Sequence, residues 1–301
     1  MSTQSAQGSG VAPILRVEDL SIGFGGREVV HNLSLEIAAG QTLGLVGESG
    51  SGKSATALAL LRLLPGGASV SGKLWLANGS GDSASERRTD NGQRTTCSID
   101  LLALPEAQMR RRRGSDLAMI FQEPMTALNP VMRVGDQIAE AVRAHRPGLS
   151  SQAVARLVLD AMHEVALPDP ERRVRDYPHQ FSGGQRQRIL IAMAIVNRPR
   201  LLIADEPTTA LDVTVQTQIL ALLQELRRTH GLSMLFISHD LAVVAQACDQ
   251  PGDAIAVMQH GRIVELAVTR DLFRNPQHPY TRRLLASAPT METDRTRPLA
   301  V

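Results

Sequence analysis

Residues 47–54 read Gly47-Glu48-Ser49-Gly50-Ser51-Gly52-Lys53-Ser54, and no other stretch restricts the fold as tightly. The string satisfies G-x-x-x-x-G-K-[ST], a pattern that has meaning only between a strand and a helix. Both flanks comply. Thr42-Leu43-Gly44-Leu45-Val46 is an apolar run of strand length, and Ala55 to Leu64 is rich in Ala and Leu before Pro65-Gly66-Gly67 stops it. Glycines let successive backbone N–H groups turn inward around a polyphosphate, and the helix N-terminus adds free donors and a partial positive charge. In that frame Lys53 reaches the β- and γ-phosphates and the Ser54 hydroxyl ligates Mg²⁺. Lys53 and Lys73 are the only lysines; every other cationic side chain is arginine.

Composition narrows the setting. A chain of 301 residues can bury a substantial core as one large α/β domain or two lobes. A net charge of +2 with 21% charged residues gives no general polycation, so no nucleic-acid partner is expected. Cys97 and Cys248 are isolated, which excludes a disulfide framework and suits a reducing compartment. Met1 to Pro13 has neither basic residues nor an apolar core, so it does not read as a signal peptide, and Ile189 to Val196, the longest apolar run, is far short of a membrane span. A cytosolic-type chain is expected, able to dock on a membrane protein.

In chain order, residues 1–13 read as a disordered tail. Ile14 to Ile37 alternates apolar and polar residues, as half-buried antiparallel strands do. Phe24 falls in the turn between two of them, where an aromatic is either a core plug or a platform for an adenine ring. Val70 to Leu76 resumes a strand, and residues 77–96, with almost nothing apolar, read as a flexible insertion. Arg110-Arg111-Arg112-Arg113 reads as a solvated face, and Leu117 to Phe121 as a buried strand ended by Gln122. From Val134 the period becomes helical. Val154, Leu157, Val158, Ala161, Met162 and Val165 share one face, with Ser150 or Ser151 as the cap, so residues from about 131 to 180 read as a helical lobe inserted into the α/β core. Leu201 to Ala204 is a strand, Asp212 caps a helix with Val215, Ile219, Leu222 and Leu226 inward, and His230-Gly231 stops it. Met234 to Ile237 is a further strand, followed by Ser238-His239-Asp240. Alternating strands and helices imply an α/β fold with a mostly parallel sheet.

Two further clusters carry chemistry. Leu201-Leu202-Ile203-Ala204-Asp205-Glu206 ends a buried strand in two adjacent carboxylates, at the edge where doubly wound sheets bind ligands. Successive strand side chains point to opposite faces, so one acid can hold Mg²⁺ while the other polarises an attacking water. Phe181-Ser182-Gly183-Gly184-Gln185 opens a helix and forms a second anion site. Two such sites in one chain suggest that each serves a different nucleotide, in a head-to-tail dimer.

The phosphate loop, Gln122, Ser182-Gly183-Gly184-Gln185, the Leu201–Glu206 strand, Ala210-Leu211-Asp212 and His239 follow one another as they do in ABC transporters, and the chain resembles their ATP-binding subunit over roughly residues 14–285. That resemblance implies a P-loop ABC ATPase core with an antiparallel β subdomain and an inserted helical subdomain, residues 286–301 being a short C-terminal tail. It implies ATP with Mg²⁺, a second cassette (the same or a related chain), integral membrane permease subunits and an extracytoplasmic solute-binding protein, with the cassette at the cytoplasmic face of a bacterial inner membrane. Phe24 would then stack on adenine, Gln122 sense Mg²⁺, Glu206 act as general base, Asp212 contact the second cassette and His239 the γ-phosphate. Phe121–Pro130, Tyr177-Pro178-His179-Gln180, Ala204–Val215 and His278-Pro279-Tyr280-Thr281 are similar to the dipeptide/oligopeptide importer branch, which includes nickel importers. Nickel, glutathione or opines are alternative cargoes, and a soluble ABC ATPase unlinked to transport is the rival class. Three departures stand out: Phe181 where Leu is usual, an inserted Gln250-Pro251-Gly252, and no cysteine-bearing extension before Val301, from which no iron–sulfur cluster is expected.

Overall fold

Apolar alternation builds the first strands. In this computed structural model, which describes residues 13–78, 98–122 and 127–287, β1 (Pro13–Phe24) pairs antiparallel with β2 (Arg27–Ala38), Leu15 opposite Ile37 and Val17 opposite Leu35. Gly25 and Gly26, at φ 56° and 83°, form the two-residue turn with left-handed backbone at both positions. Phe24 therefore ends β1 instead of occupying the turn. Of the expected tails and insertion, residues 1–12, 79–97 and 288–301 lie outside the described residues; Pro13 and Ala77 belong to strands.

The described residues group into two compact units, one running to Leu104 and resuming at Leu235, the other spanning Pro105 to Met234. In the first, all five residues of β3 (Thr42–Val46) are buried, and α1 (Lys53–Leu60) follows the phosphate loop. The helix stops before the expected Pro65. Arg62 adopts φ 52°, the Arg62 and Leu63 amides close back on the Ala59 and Leu58 carbonyls, and the Arg62 guanidinium donates to the Leu101 and Leu104 carbonyls. A side chain with distant partners, not a breaker residue, ends it. β4 (Ala68–Ala77) pairs with β1 and β5 (Ser98–Asp100) with β4, giving an antiparallel sheet ordered β2-β1-β4-β5.

The second unit opens with α2 (Glu106–Arg112). The arginine run is only half solvated: Arg112 pairs with Asp116 at 2.6 Å and Arg113 with Glu106 at 2.6 Å. β6 (Leu117–Ile120) ends one residue early, and Phe121 is 45% exposed. Helices α3 (Val134–His145) and α4 (Ser151–Glu164) pack on each other; the Ser150 hydroxyl caps α4 by accepting from the Ala153 N–H, and Val154, Val158, Ala161, Met162 and Val165 are buried as the periodicity requires, while Leu157 is only half-buried. After α5 (Pro170–Arg173) and a 3₁₀ turn at Pro178–Gln180, α6 (Gly183–Ile195) packs on α3 and α4. β7 (Leu201–Asp205) runs parallel to β6, and α7 (Val213–His230) ends at Gly231, φ 62°. The division between the units falls inside β8 (Ser233–Ser238).

Back in the first unit, Asp240 caps α8 (Leu241–Ala247). The inserted Gln250-Pro251-Gly252 forms a tight turn. The buried Asp253 carboxylate accepts from the Gln250 and Thr42 N–H groups, and the Gly252 carbonyl accepts from the Gln41 side chain. β9 (Ala254–Gln259) lies parallel to β3, β10 (Arg262–Val268) antiparallel to β9, and α9 (Thr269–Arg274) and α10 (Pro279–Ser287) follow. Parallel pairing in both units agrees with the α/β expectation. Among the described residues no helix is long and apolar enough to cross a membrane.

Candidate active site

In the first unit the phosphate loop closes on itself. Lys53 is buried, and its Nζ donates to the Gly47 and Glu48 carbonyls at 2.7 and 2.8 Å. The Ser51 N–H donates to the Glu48 carbonyl at 3.2 Å. Gly52 immediately precedes α1 at φ 105°, where a Cβ would lie 2.9 Å from Val30 Cγ2 and from Met258 Cε, and a Cβ on Gly47 would lie 2.1 Å from the Met258 carbonyl oxygen. Only glycine fits either position. Glu48, Ser49 and Gly50 are exposed, Ser51 is buried, and Ser54 is half-buried in the first turn of α1. This is a glycine-rich backbone loop with a lysine already gathered into it, a donor set that suits a triphosphate. Phe24 is half-buried at the end of β1, and His239 is exposed just after β8.

In the second unit the two carboxylates part for a reason that strand alternation did not foresee. Asp205 is the last, buried residue of β7, whereas Glu206 leaves the strand at φ 48°, a left-handed conformation rare for a non-glycine residue. Glu206 Oε2 accepts from Gln122 Nε2 at 3.1 Å and from the Thr209 hydroxyl at 2.8 Å. Gln122 and Glu206, 84 residues apart in the chain, thus share one hydrogen bond. Thr209 was missed from the sequence, although Pro207-Thr208-Thr209 directly follows the carboxylates. Two donors on one oxygen fix the orientation of this carboxylate.

Ser182 caps α6 in a reciprocal box: its hydroxyl accepts from the Gln185 N–H at 3.3 Å, and Gln185 Oε1 accepts from the Ser182 N–H at 3.1 Å. Arg173 secures the box from outside, donating to Gln185 Oε1 at 3.3 Å and to the Gln180 carbonyl at 2.9 Å, with its guanidinium 4.0 Å above the Phe181 ring. Phe181 is buried, so the substitution for Leu keeps a packing role. The two glycines differ. A Cβ on Gly184 would meet Val215 Cγ1 at 2.5 Å, whereas one on Gly183 would meet only Leu211 Cδ2, at an ordinary 3.7 Å. Asp212 Oδ1 accepts from the Val215 N–H at 2.9 Å, capping α7 as expected. Of the Pro124–Met132 segment, residues 124–126 lie outside the described ones. The rest is held by buried Gln137, which exchanges hydrogen bonds with Asn129 and donates to the Met132 carbonyl, leaving Val131 82% exposed.

The ABC transporter family profile matches residues 30–209, and a profile described as the oligopeptide/dipeptide transporter C-terminal region matches residues 264–300. The chain is 44% identical, over 93% of its own length and 78% of the relative's, to the dipeptide transport ATP-binding protein of Bacillus subtilis. It is 46% identical to a peptidoglycan transport ATP-binding protein of Agrobacterium fabrum over 96% of its length, but spans only 50% of that relative. A dimeric ATP-binding cassette in a post-hydrolysis state bound to ADP and Pi shares the fold, with a TM-score of 0.66 at 23% identity over 85% of this chain and 99% of that one. A family profile that matches well over half of the chain, carrying both the phosphate loop and the Asp205-Glu206 strand end, places it among the ABC transporters: the chain belongs to that family as an ATP-binding cassette, an ATPase.

Proposed function

We propose that this cassette powers the import of di- or oligopeptides through membrane permease subunits, fed by an extracytoplasmic solute-binding protein, at the cytoplasmic face of a bacterial inner membrane. The C-terminal match at residues 264–300 and the name of the Bacillus subtilis relative support the peptide cargo. The observation that carries the catalytic assignment is the Glu206 carboxylate, held by Gln122 and Thr209 immediately after a buried strand.

In this reading residues 47–54 cradle the triphosphate, with Lys53 exchanging its loop carbonyls for phosphate oxygens, and Phe24 stacks on the adenine. Glu206 takes the proton of the attacking water as its oxygen bonds to the γ-phosphorus and ADP departs; His239 donates to the γ-phosphate. Ser54, Asp205 and Gln122 would offer oxygen donors to Mg²⁺, which would neutralise phosphate charge when bound. Ser182, Gly183, Gly184, Gln185 and Asp212 face the nucleotide held by a second cassette, arranged head to tail. Gly183 supports this assignment, since among the described residues an added Cβ there would meet only Leu211 Cδ2, at an ordinary 3.7 Å. The exposed Val131, on a segment stiffened by Gln137, suits a short helix of the permease.

The test reconstitutes the chain with peptide-type permease subunits and a peptide-binding protein. Peptide-loaded binding protein should raise ATP hydrolysis, and Glu206→Gln should remove that stimulation. Stimulation by a non-peptide cargo alone would overturn the peptide assignment.

A further inference from the structure

The C-terminal segment reaches the phosphate loop where Tyr280 meets Glu48. The backbone N–H of Glu48 donates to the Tyr280 hydroxyl oxygen at 3.1 Å, across 232 residues of chain. Tyr280 is the second residue of α10 and is only 3% exposed. Its approach is fixed from both sides. The Glu265 carboxylate on β10 accepts from the Gln277 and His278 N–H groups at 2.8 and 2.9 Å, and His278 Nδ1 accepts from the Tyr280 N–H at 3.2 Å. The Arg283 guanidinium lies 5.9 Å over the Tyr280 ring. Burial raises the carboxyl of Glu265, but the Gln277 N–H, the Thr281 hydroxyl and the His278 N–H and ring together hold the group below its ordinary value. Burial likewise pushes the Tyr280 phenol up, so it stays protonated at neutral pH.

The other side of the loop is braced separately. The Gly261 N–H in the β9–β10 turn donates to the Ser51 carbonyl at 3.1 Å, and Met258 on β9 abuts Gly47 and Gly52. Packing alone would be served equally well by phenylalanine. The hydroxyl instead satisfies a part-buried amide of the loop, which would otherwise pay a desolvation cost.

We propose that Tyr280 is a positioning residue for ATP binding: it holds the Glu48 peptide so that the phosphate loop keeps its receiving shape, and the segment from Glu265 to Arg283 is the arm that holds Tyr280 in place. This rests on the reading of residues 47–54 as the triphosphate site. Because the coupling is reciprocal, nucleotide on the loop steadies α10 in turn.

The test uses the full-length chain. Tyr280→Phe should weaken ADP binding, measured by titration calorimetry, about 3–10-fold, the effect of one net hydrogen bond. KM for ATP should rise by a similar factor while kcat stays within about twofold. Hydrogen exchange of α10 should slow on ADP addition in the wild type and much less in the variant. Glu265→Gln, a weaker acceptor for the same two amides, should move these readouts in the same direction by about 2–3-fold, and it carries the test if Tyr280→Phe does not fold. Normal ADP affinity in the variants, with α10 exchange indifferent to ADP or with only thermal stability lowered, overturns the proposal. Failure of the wild type to bind ADP refutes the triphosphate reading itself, a distinct result.

Discussion

Gly183 and Gly184 are adjacent in one motif, yet the structure predicts opposite signs for the same substitution. Exchanging glycine for alanine in a helix gains about 0.5–1 kcal/mol, largely by restricting the unfolded chain. At Gly183 no described residue outside its own helix opposes that gain, the nearest such atom to an added Cβ being Leu211 Cδ2 at 3.7 Å. Gly183→Ala should therefore hold or raise Tm, by about 1–3 °C. At Gly184 the added Cβ would sit 2.5 Å from Val215 Cγ1, and the two must part by roughly 1 Å to reach ordinary contact. Valine is stiff at χ1, so α6 and α7 must separate slightly, an overpacking cost of about 1–3 kcal/mol. Net of the helix gain, Gly184→Ala should lose roughly 1–2 kcal/mol and about 2–6 °C. Calorimetry on the isolated chain measures both, and ATPase assays on the assembled transporter give the second axis. If the proposed head-to-tail site is correct, Gly183→Ala should lower ATPase activity at least tenfold despite its stability, since the added methyl would enter the space of a partner's nucleotide. A destabilised Gly183→Ala refutes the packing argument; a stable and fully active one refutes the shared-site assignment.

Glu206→Gln should keep ATP binding and lower kcat about 10²–10⁴-fold, the usual contribution of a positioned base; near-normal turnover would sink the assignment. The same variant should dimerise with ATP and Mg²⁺ in sedimentation runs, alone or with a neighbouring cassette, and no ATP-dependent association in either setting refutes the head-to-tail site. Asp212→Ala should cost about 1 kcal/mol through loss of its cap on α7, whereas Asp212→Asn should retain that stability and reveal any separate effect on ATPase activity. Val131→Arg, at an 82% exposed position, should leave folding and the isolated chain's ATPase rate within about twofold but uncouple transport; full transport would remove this face from the permease contact.

Local signals were legible where one stretch carries its own context. Strand, glycine loop and helix at Thr42–Leu60 are contiguous, as are the Asp212 cap and the cap read as Ser150 or Ser151, each decided within a few residues. What escaped depends on distant partners. The end of α1 is set by Arg62 reaching Leu101 and Leu104, and Arg112 and Arg113 leave solvent for Asp116 and Glu106. His278-Pro279-Tyr280-Thr281 stood out as a family string, but no periodicity could reveal that its tyrosine meets the amide of Glu48.

The same asymmetry governs how substitutions in the motifs should be interpreted. The residues read as chemistry also hold their own backbone: Lys53 binds two carbonyls of its loop, Ser182 and Gln185 cap α6 reciprocally, and Asp212 caps α7. An alanine at any of them removes a local bond together with a ligand contact, so loss of activity alone does not identify a nucleotide role. Glu206 separates the two more cleanly. Its glutamine variant keeps a side-chain oxygen to accept from Gln122 or Thr209, so the left-handed turn at φ 48° retains support while the basic carboxylate is gone. Activity lost there with the fold intact reports chemistry, which is why Glu206→Gln, rather than Glu206→Ala, is the informative change.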